Sequence, residues 1–142
     1  MRLALCLFAV IVPASAQLQA VEIRVSGLDC ASCAESVDRK LSRMRGVASA
    51  KFDAAKNVAT LKLQPENTLT LAAIRDALKS MGYTPEEASI VVHGELRGGV
   101  LSMKHQERAF TVEGAKESGG VVIEGDVAAG SDRLRARSVR SQ

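Results

Sequence analysis

From Val21 to Val25 apolar and polar residues alternate, the period-two pattern of a strand with one buried face, and Gly27 ends it. Beyond a Gly-Leu-Asp loop, Cys33, Val37, Leu41 and Met44 recur at helical spacing, while Glu35, Asp38, Arg39, Lys40 and Arg43 take the opposite face. Gly46 stops this amphipathic helix, where a left-handed residue is usually needed. A strand follows from Val47 to Asp53, with Ala48, Ala50 and Phe52 on one side. Another runs from Val58 to Leu63, with Ala59, Leu61 and Leu63 on one side, and the short turn at Ala54 to Asn57 makes the two a hairpin. Thr68 or Thr70 is available to cap a second amphipathic helix, marked by Leu71, Ile74, Leu78 and Met81 and ended by Gly82. A last strand begins soon after Tyr83.

The order strand, helix, strand, strand, helix, strand over residues 21–89 is the split βαβ arrangement, an α+β class in which both helices cover one face of a four-stranded antiparallel sheet. Past Ile90 the helical spacing disappears. Short apolar runs at Ile90 to Val92, Val100 to Met103, Ala109 to Val112, Val121 to Ile123 and Leu134 to Val139 alternate with Gly-rich turns, so residues 90–142 read as a small all-β extension. That stretch is short for an independent barrel and predicts a meander packed on the first unit.

The chain opens differently. Met1 and Arg2 give a short positive start, Leu3 to Val12 is apolar, and Pro13 precedes Ala14-Ser15-Ala16, a small-x-small cleavage pattern; residues 1–16 thus read as a secretory signal peptide. Crossing a bilayer core takes about 20 apolar residues, which this run and every later segment fall short of. Export is the expectation, to the periplasm where the source has an outer membrane and otherwise to the extracytoplasmic space. Cys6 lies inside the apolar run and leaves with the leader.

Composition narrows the function. Of 142 residues 46% are hydrophobic and 25% charged, which is ordinary for a globular chain. With no Trp, one Tyr, three Phe and a net charge of +3, the chain lacks both the stacking platform and the phosphate-binding field that a nucleic-acid partner requires. Neither a paired-acid nor a Ser-His-Asp constellation is present, and an enzyme is not expected.

Two cysteines remain after the leader. Cys30-Ala31-Ser32-Cys33 joins a strand end to the first turn of a helix, beside unpaired backbone N–H groups and the positive end of the helix dipole, surroundings that favour thiolate. Two thiolates with few other ligands suit soft ions of low coordination number, with Cu(I) and Hg(II) favoured, whereas structural Zn(II) normally takes four ligands. Asp29 is a candidate third ligand and brings Zn(II), Cd(II) or Pb(II) into range. The predicted topology gathers the first strand-to-helix loop, the hairpin turn and the second helix-to-strand loop at one end of the sheet. Cys30, Cys33, Lys56 and Tyr83 should be neighbours there, with Tyr83 either shielding the ion or packing over the helix end.

Gly27-Leu28-Asp29-Cys30-Ala31-Ser32-Cys33, together with Gly46-Val47 and Gly82-Tyr83, resembles the heavy-metal-associated domain family, whose motif is Gly-Met-x-Cys-x-x-Cys. The resemblance covers about half of the chain. It implies a ferredoxin-like βαββαβ fold carrying one heavy or transition-metal ion on Cys30 and Cys33. With a leader in front, it points to relatives such as periplasmic mercury-binding proteins and copper chaperones. Leu28 stands in place of the family's Met, a change of shape that packing tolerates. Asp29 matches the variant of zinc, cadmium and lead exporters rather than the Thr of copper and mercury carriers.

The expected protein is therefore an exported metal carrier that hands its ion to a transporter or another metal-binding protein by ligand exchange. Two other readings use the same residues: a thiol-disulfide redox protein, which would lack the usual Trp-Cys-Gly-Pro-Cys surroundings, and an interaction module acting through the β-rich tail. His93 and His105 lie at no ligand spacing from the cysteines and read as solvated, and Met44 and Met81 read as core. Arg133, Arg135, Arg137 and Arg140, with no acid among the last ten residues, read as the solvated face of an edge strand or as a contact for anionic lipid or an acidic partner.

Overall fold

A computed structural model describes residues 16–28 and 30–142. The leader expected at residues 1–16 therefore lies, but for Ala16, outside the described residues, as does Asp29.

The first six elements are β1 (Leu18–Ser26), α1 (Ala31–Ser42), β2 (Val47–Asp53), β3 (Val58–Leu63), α2 (Leu71–Ser80) and β4 (Thr84–Arg97). Their strands lie in the order β2-β3-β1-β4, all antiparallel. β1 starts earlier than its strict alternation shows, because Leu18 still pairs with Val92 across a register irregularity. Leu18, Val21, Ile23 and Val25 are buried, and they meet Ala59, Leu61, Ala88 and Ile90 of the flanking strands on one face. The helices complete that core with Val37 and Leu41 from α1 and Leu71, Ile74 and Leu78 from α2. Thr70 caps α2, its hydroxyl accepting from the N–H of Ala73 at 3.1 Å.

Three local expectations are corrected. α1 ends at Ser42, so Met44 sits in the following turn, and Gly46, at φ +94°, opens the entry to β2. A register irregularity between Val47 and Ser49 buries Val47 and exposes Ala48. Met44 and Met81 are half-buried rather than core, and they line an open groove with Ser36, Arg39, Lys40 and Arg43.

β4 decides the architecture of the remainder. It runs unbroken through the boundary expected at 89/90, pairing with β1 up to Val92 and then, along the same edge, with β5 (Val100–Met103) from Glu95. Its other edge carries β7 (Gly119–Val127) from Ala88 to Leu96. β6 (Gln106–Glu113) pairs with β5 on one side and runs parallel to β8 (Arg133–Ser141) on the other, and β8 returns to β7. The ring β4-β5-β6-β8-β7 is closed, so the extension is not a meander. It is long enough to close because it borrows its fifth strand. Two strand glycines make closure possible: a Cβ on Gly94 would lie 2.5 Å from the Ser102 carbonyl oxygen, and one on Gly125 would collide with that of Arg135. Leu96, Leu101, Val121, Ile123, Val127 and Leu134 fill the ring and join the core under the helices in one cluster.

Candidate metal centre

Gly27, at φ +88°, turns the chain out of β1, and Leu28 is half-buried against the core. Cys30 is the extended residue preceding α1, at φ −140° and ψ 149°, and is exposed; Cys33 lies in the first turn and is half-buried. The N–H of Cys33 donates to the Cys30 carbonyl at 3.1 Å, and Cys30 Sγ lies 3.4 Å from Ser32 Oγ. Among the described residues no side chain caps this helix start and its first turn holds no acid, so the N-terminal N–H groups and the positive dipole end stand beside the sulfurs. The two cysteines form a disulfide with their Cα atoms 5.3 Å apart, so the loop brings both sulfurs within bonding reach of each other.

The surrounding loops meet as the topology requires. Ser26 pairs with Thr84, the N–H of Val25 donates to the Asn57 carbonyl at 2.9 Å, and a Cβ on Gly27 would lie 4.0 Å from the Gly82 carbonyl oxygen. Tyr83 is half-buried against the core, its N–H donating to the Leu78 carbonyl at 3.2 Å. Lys56 is exposed and engaged within its own turn, its Nζ 4.0 Å from Asp53 Oδ2 and its N–H donating to Asp53 Oδ1.

Other candidates stand apart from this loop. His93 lies on the ring, its Nδ1 2.7 Å from Gln142 Nε2, and burial followed by the charge of Arg140 pushes its pKa down. His105 is exposed in the β5–β6 turn. Among the described residues no group of three or more His, Cys, Asp and Glu side chains could hold a metal ion. The basic tail is largely neutralised: Arg133, Arg137 and Arg140 pair with Glu113, Asp126 and Glu124 at 4.0, 3.5 and 3.1 Å. β8 also has neighbours on both sides near its start, so it is not a simple edge strand. Among the described residues the cations without an ion pair include Arg39, Lys40 and Arg43 on α1, a signal present in the sequence as one polar helix face.

Fold and site together define a small α+β domain that presents a cysteine pair at a helix N-terminus. The model of the heavy-metal-associated domain matches residues 22–84. The chain is 31% identical over 61 residues to the copper chaperone CopZ of Staphylococcus haemolyticus (strain JCSC1435), covering 43% of this chain and 88% of that protein. It is 33% identical over 76 residues to a copper-exporting P-type ATPase of Bacillus subtilis (strain 168), covering 52% of this chain and 9% of the ATPase. It is 29% identical over 82 residues to a zinc-transporting ATPase of Synechocystis sp. (strain ATCC 27184 / PCC 6803 / Kazusa), covering 56% and 11%. The chain thus spans about a tenth of the length of these two transporters. It belongs to the heavy-metal-associated domain family. Among the described residues no helix is long and apolar enough to cross a membrane.

Proposed function

We propose that the protein is an exported metal carrier that holds one soft or transition-metal ion on the reduced thiolates of Cys30 and Cys33 and passes it on by ligand exchange. The observation that carries this reading is the cysteine pair itself, exposed on one side at an uncapped helix N-terminus and accompanied by no cluster of further ligands among the described residues. Such a site binds through sulfur and stays under-coordinated, which favours Cu(I) or Hg(II) as cargo; Asp29, adjacent in sequence, would extend the range to Zn(II), Cd(II) or Pb(II). An incoming thiolate joins the ion before Cys30 or Cys33 leaves, so the ion is never free. Loading requires the disulfide to be reduced first, by two electrons from a thiol donor. Kinship with a copper chaperone and with domains of copper and zinc transporters supports a transporter or second metal-binding protein as the recipient. The leader-like start supports delivery outside the cytoplasm. No step in this cycle needs a catalytic residue.

Titration of the fully reduced protein with Cu(I), Hg(II) and Zn(II) tests the reading. One equivalent is expected to bind, and Cys30→Ser or Cys33→Ser each to abolish it; retention of metal by both variants would refute it. The oxidised pair in the structure favours one second reading, a thiol-disulfide redox protein. Disulfide exchange with a partner thiol in the absence of any metal retention would replace the first reading by the second.

A further inference from the structure

The junction between the leader-like start and the remainder of the chain is held by the fold. Ala16, the last residue of the small-x-small pattern, is half-buried, and its carbonyl accepts from the N–H of Lys104 at 2.8 Å, in the turn between β5 and β6. The Gln17 carbonyl accepts from the N–H of His93 on β4, also at 2.8 Å. Leu18 follows at 0% exposure, paired with Val92, and its carbonyl accepts from the Asn67 side-chain amide at 2.9 Å. Three consecutive backbone carbonyls are thus engaged by three segments distant in sequence, which meet only in the folded chain.

Hydrolysis at this junction divides the Ala16–Gln17 amide, water leaving a carboxylate on Ala16 and an amine on Gln17. A peptidase needs the chain extended and free for several residues, and it holds the oxygen of the scissile carbonyl with hydrogen-bond donors of its own. In the folded chain the Lys104 N–H already occupies that oxygen, the His93 N–H occupies the next one, and the side chain after that is buried. The bond becomes reachable by local opening, and cutting then follows the population of the open form.

We propose that folding closes the leader junction to processing: the Ala16–Gln17 bond is cut while the chain is unfolded, and a chain that folds first keeps its leader. The inference rests on the export reading, and it makes the length of the chain a record of whether it met the peptidase before or after it folded.

Cell-free synthesis of the full chain in detergent micelles, with a purified bacterial leader peptidase, tests it. When the peptidase is present during synthesis, a product beginning at Gln17 is expected by mass. When it is added after folding, cutting should be slower by about 30-fold or more, the combined effect of two hydrogen bonds that must open first. Lys104→Pro deletes the N–H that holds Ala16. It suits its place, because Lys104 is exposed, has a negative φ and precedes His105 at φ 64° in a turn, a position that favours Pro. With its melting temperature showing it folded, the variant should be cut about fivefold faster than folded wild type. A readout that needs no variant is deuterium exchange, which should be slow at the His93 and Lys104 N–H groups of the full chain. Equal cutting in the two arms, a folded Lys104→Pro cut no faster than wild type, or exchange at the unfolded-chain rate would overturn the proposal while leaving the export reading intact. Cutting in neither arm would overturn both.

Discussion

Asn67 stands so close to Gly46 that a Cβ added to the glycine would lie 2.9 Å from the asparagine's own Cβ. The Asn67 side-chain amide donates to the carbonyls of Leu18 at 2.9 Å and Gln64 at 2.7 Å, and its Oδ1 accepts from the N–H of Leu69 at 3.0 Å. The turn after α1, the start of β1 and the link into α2 are thereby locked at one point. Gly46→Ala would combine the strain of φ +94° with displacement of Asn67, and we expect a cost of about 1–3 kcal/mol. A urea titration should show a lower midpoint at unchanged slope; an unmoved midpoint would mean that Asn67 yields freely.

Cutting the chain within or just after β4 probes how far the two halves depend on one another. Deletion after Ser89 removes Ile90 and Val92, the partners of Val21 and Leu18, and should abolish cooperative unfolding. Deletion after Arg97 keeps β4 but uncovers Val92 and Leu96, both fully buried, at about 1.5–3 kcal/mol for each side chain. A protein cut after Arg97 that melted at the wild-type temperature would show that the ring contributes nothing to the first unit.

Stability should fall in mild acid. The folded-state pKa of His93 lies below the ordinary value of 6.5, so the unfolded chain binds the proton more readily. The folded state is therefore fully favoured above pH 6.5 and progressively less so as pH falls from there through the lower folded value. Denaturant midpoints between about pH 8 and pH 5 should show this decline. His93→Gln should remove its share of the slope, and an identical slope in the variant would assign the effect elsewhere.

Metal preference is expected to turn on Asp29. Replacing it with Thr should weaken Zn(II) by about tenfold or more while leaving Cu(I) nearly unchanged, because a hard carboxylate matters to the first ion and little to the second. Competition titrations on the reduced protein would read this out. Equal losses for both ions would show that the carboxylate is not a ligand.

Much of the first unit was legible because its signals are local. The limits Val47–Asp53 and Val58–Leu63 coincide with those read from alternation alone, since the intervening turn, with Asn57 at φ 54°, breaks the pattern on both sides. Cys30 and Cys33 were legible because they form one contiguous motif. Ring closure was not, because nothing in the apolar runs of β6 and β8 says that they lie parallel to each other. Gly94 and Gly125 did carry a hint, as glycines inside alternating strands mark close backbone approach. The burial of Arg75 on α2 was not legible, since the carbonyls that it donates to, those of Val127, Ala128 and Ser131, lie more than fifty residues further along the chain.

Wrapping β4 to β8 into a ring leaves β2 as the only strand of the described sheet with a single neighbour, and there the Asp38 carboxylate already accepts the N–H of Phe52 while Lys51 stands close by. Beyond Arg135 β8 pairs with β7 alone, and Arg137 and Arg140 stand along that second free edge, so a passing chain meets charged side chains at both edges and concentrated solutions should stay free of fibrils. Recruitment into fibres would begin where the ring is forced apart, and a bulky side chain at position 125 is the wedge most suited to do it.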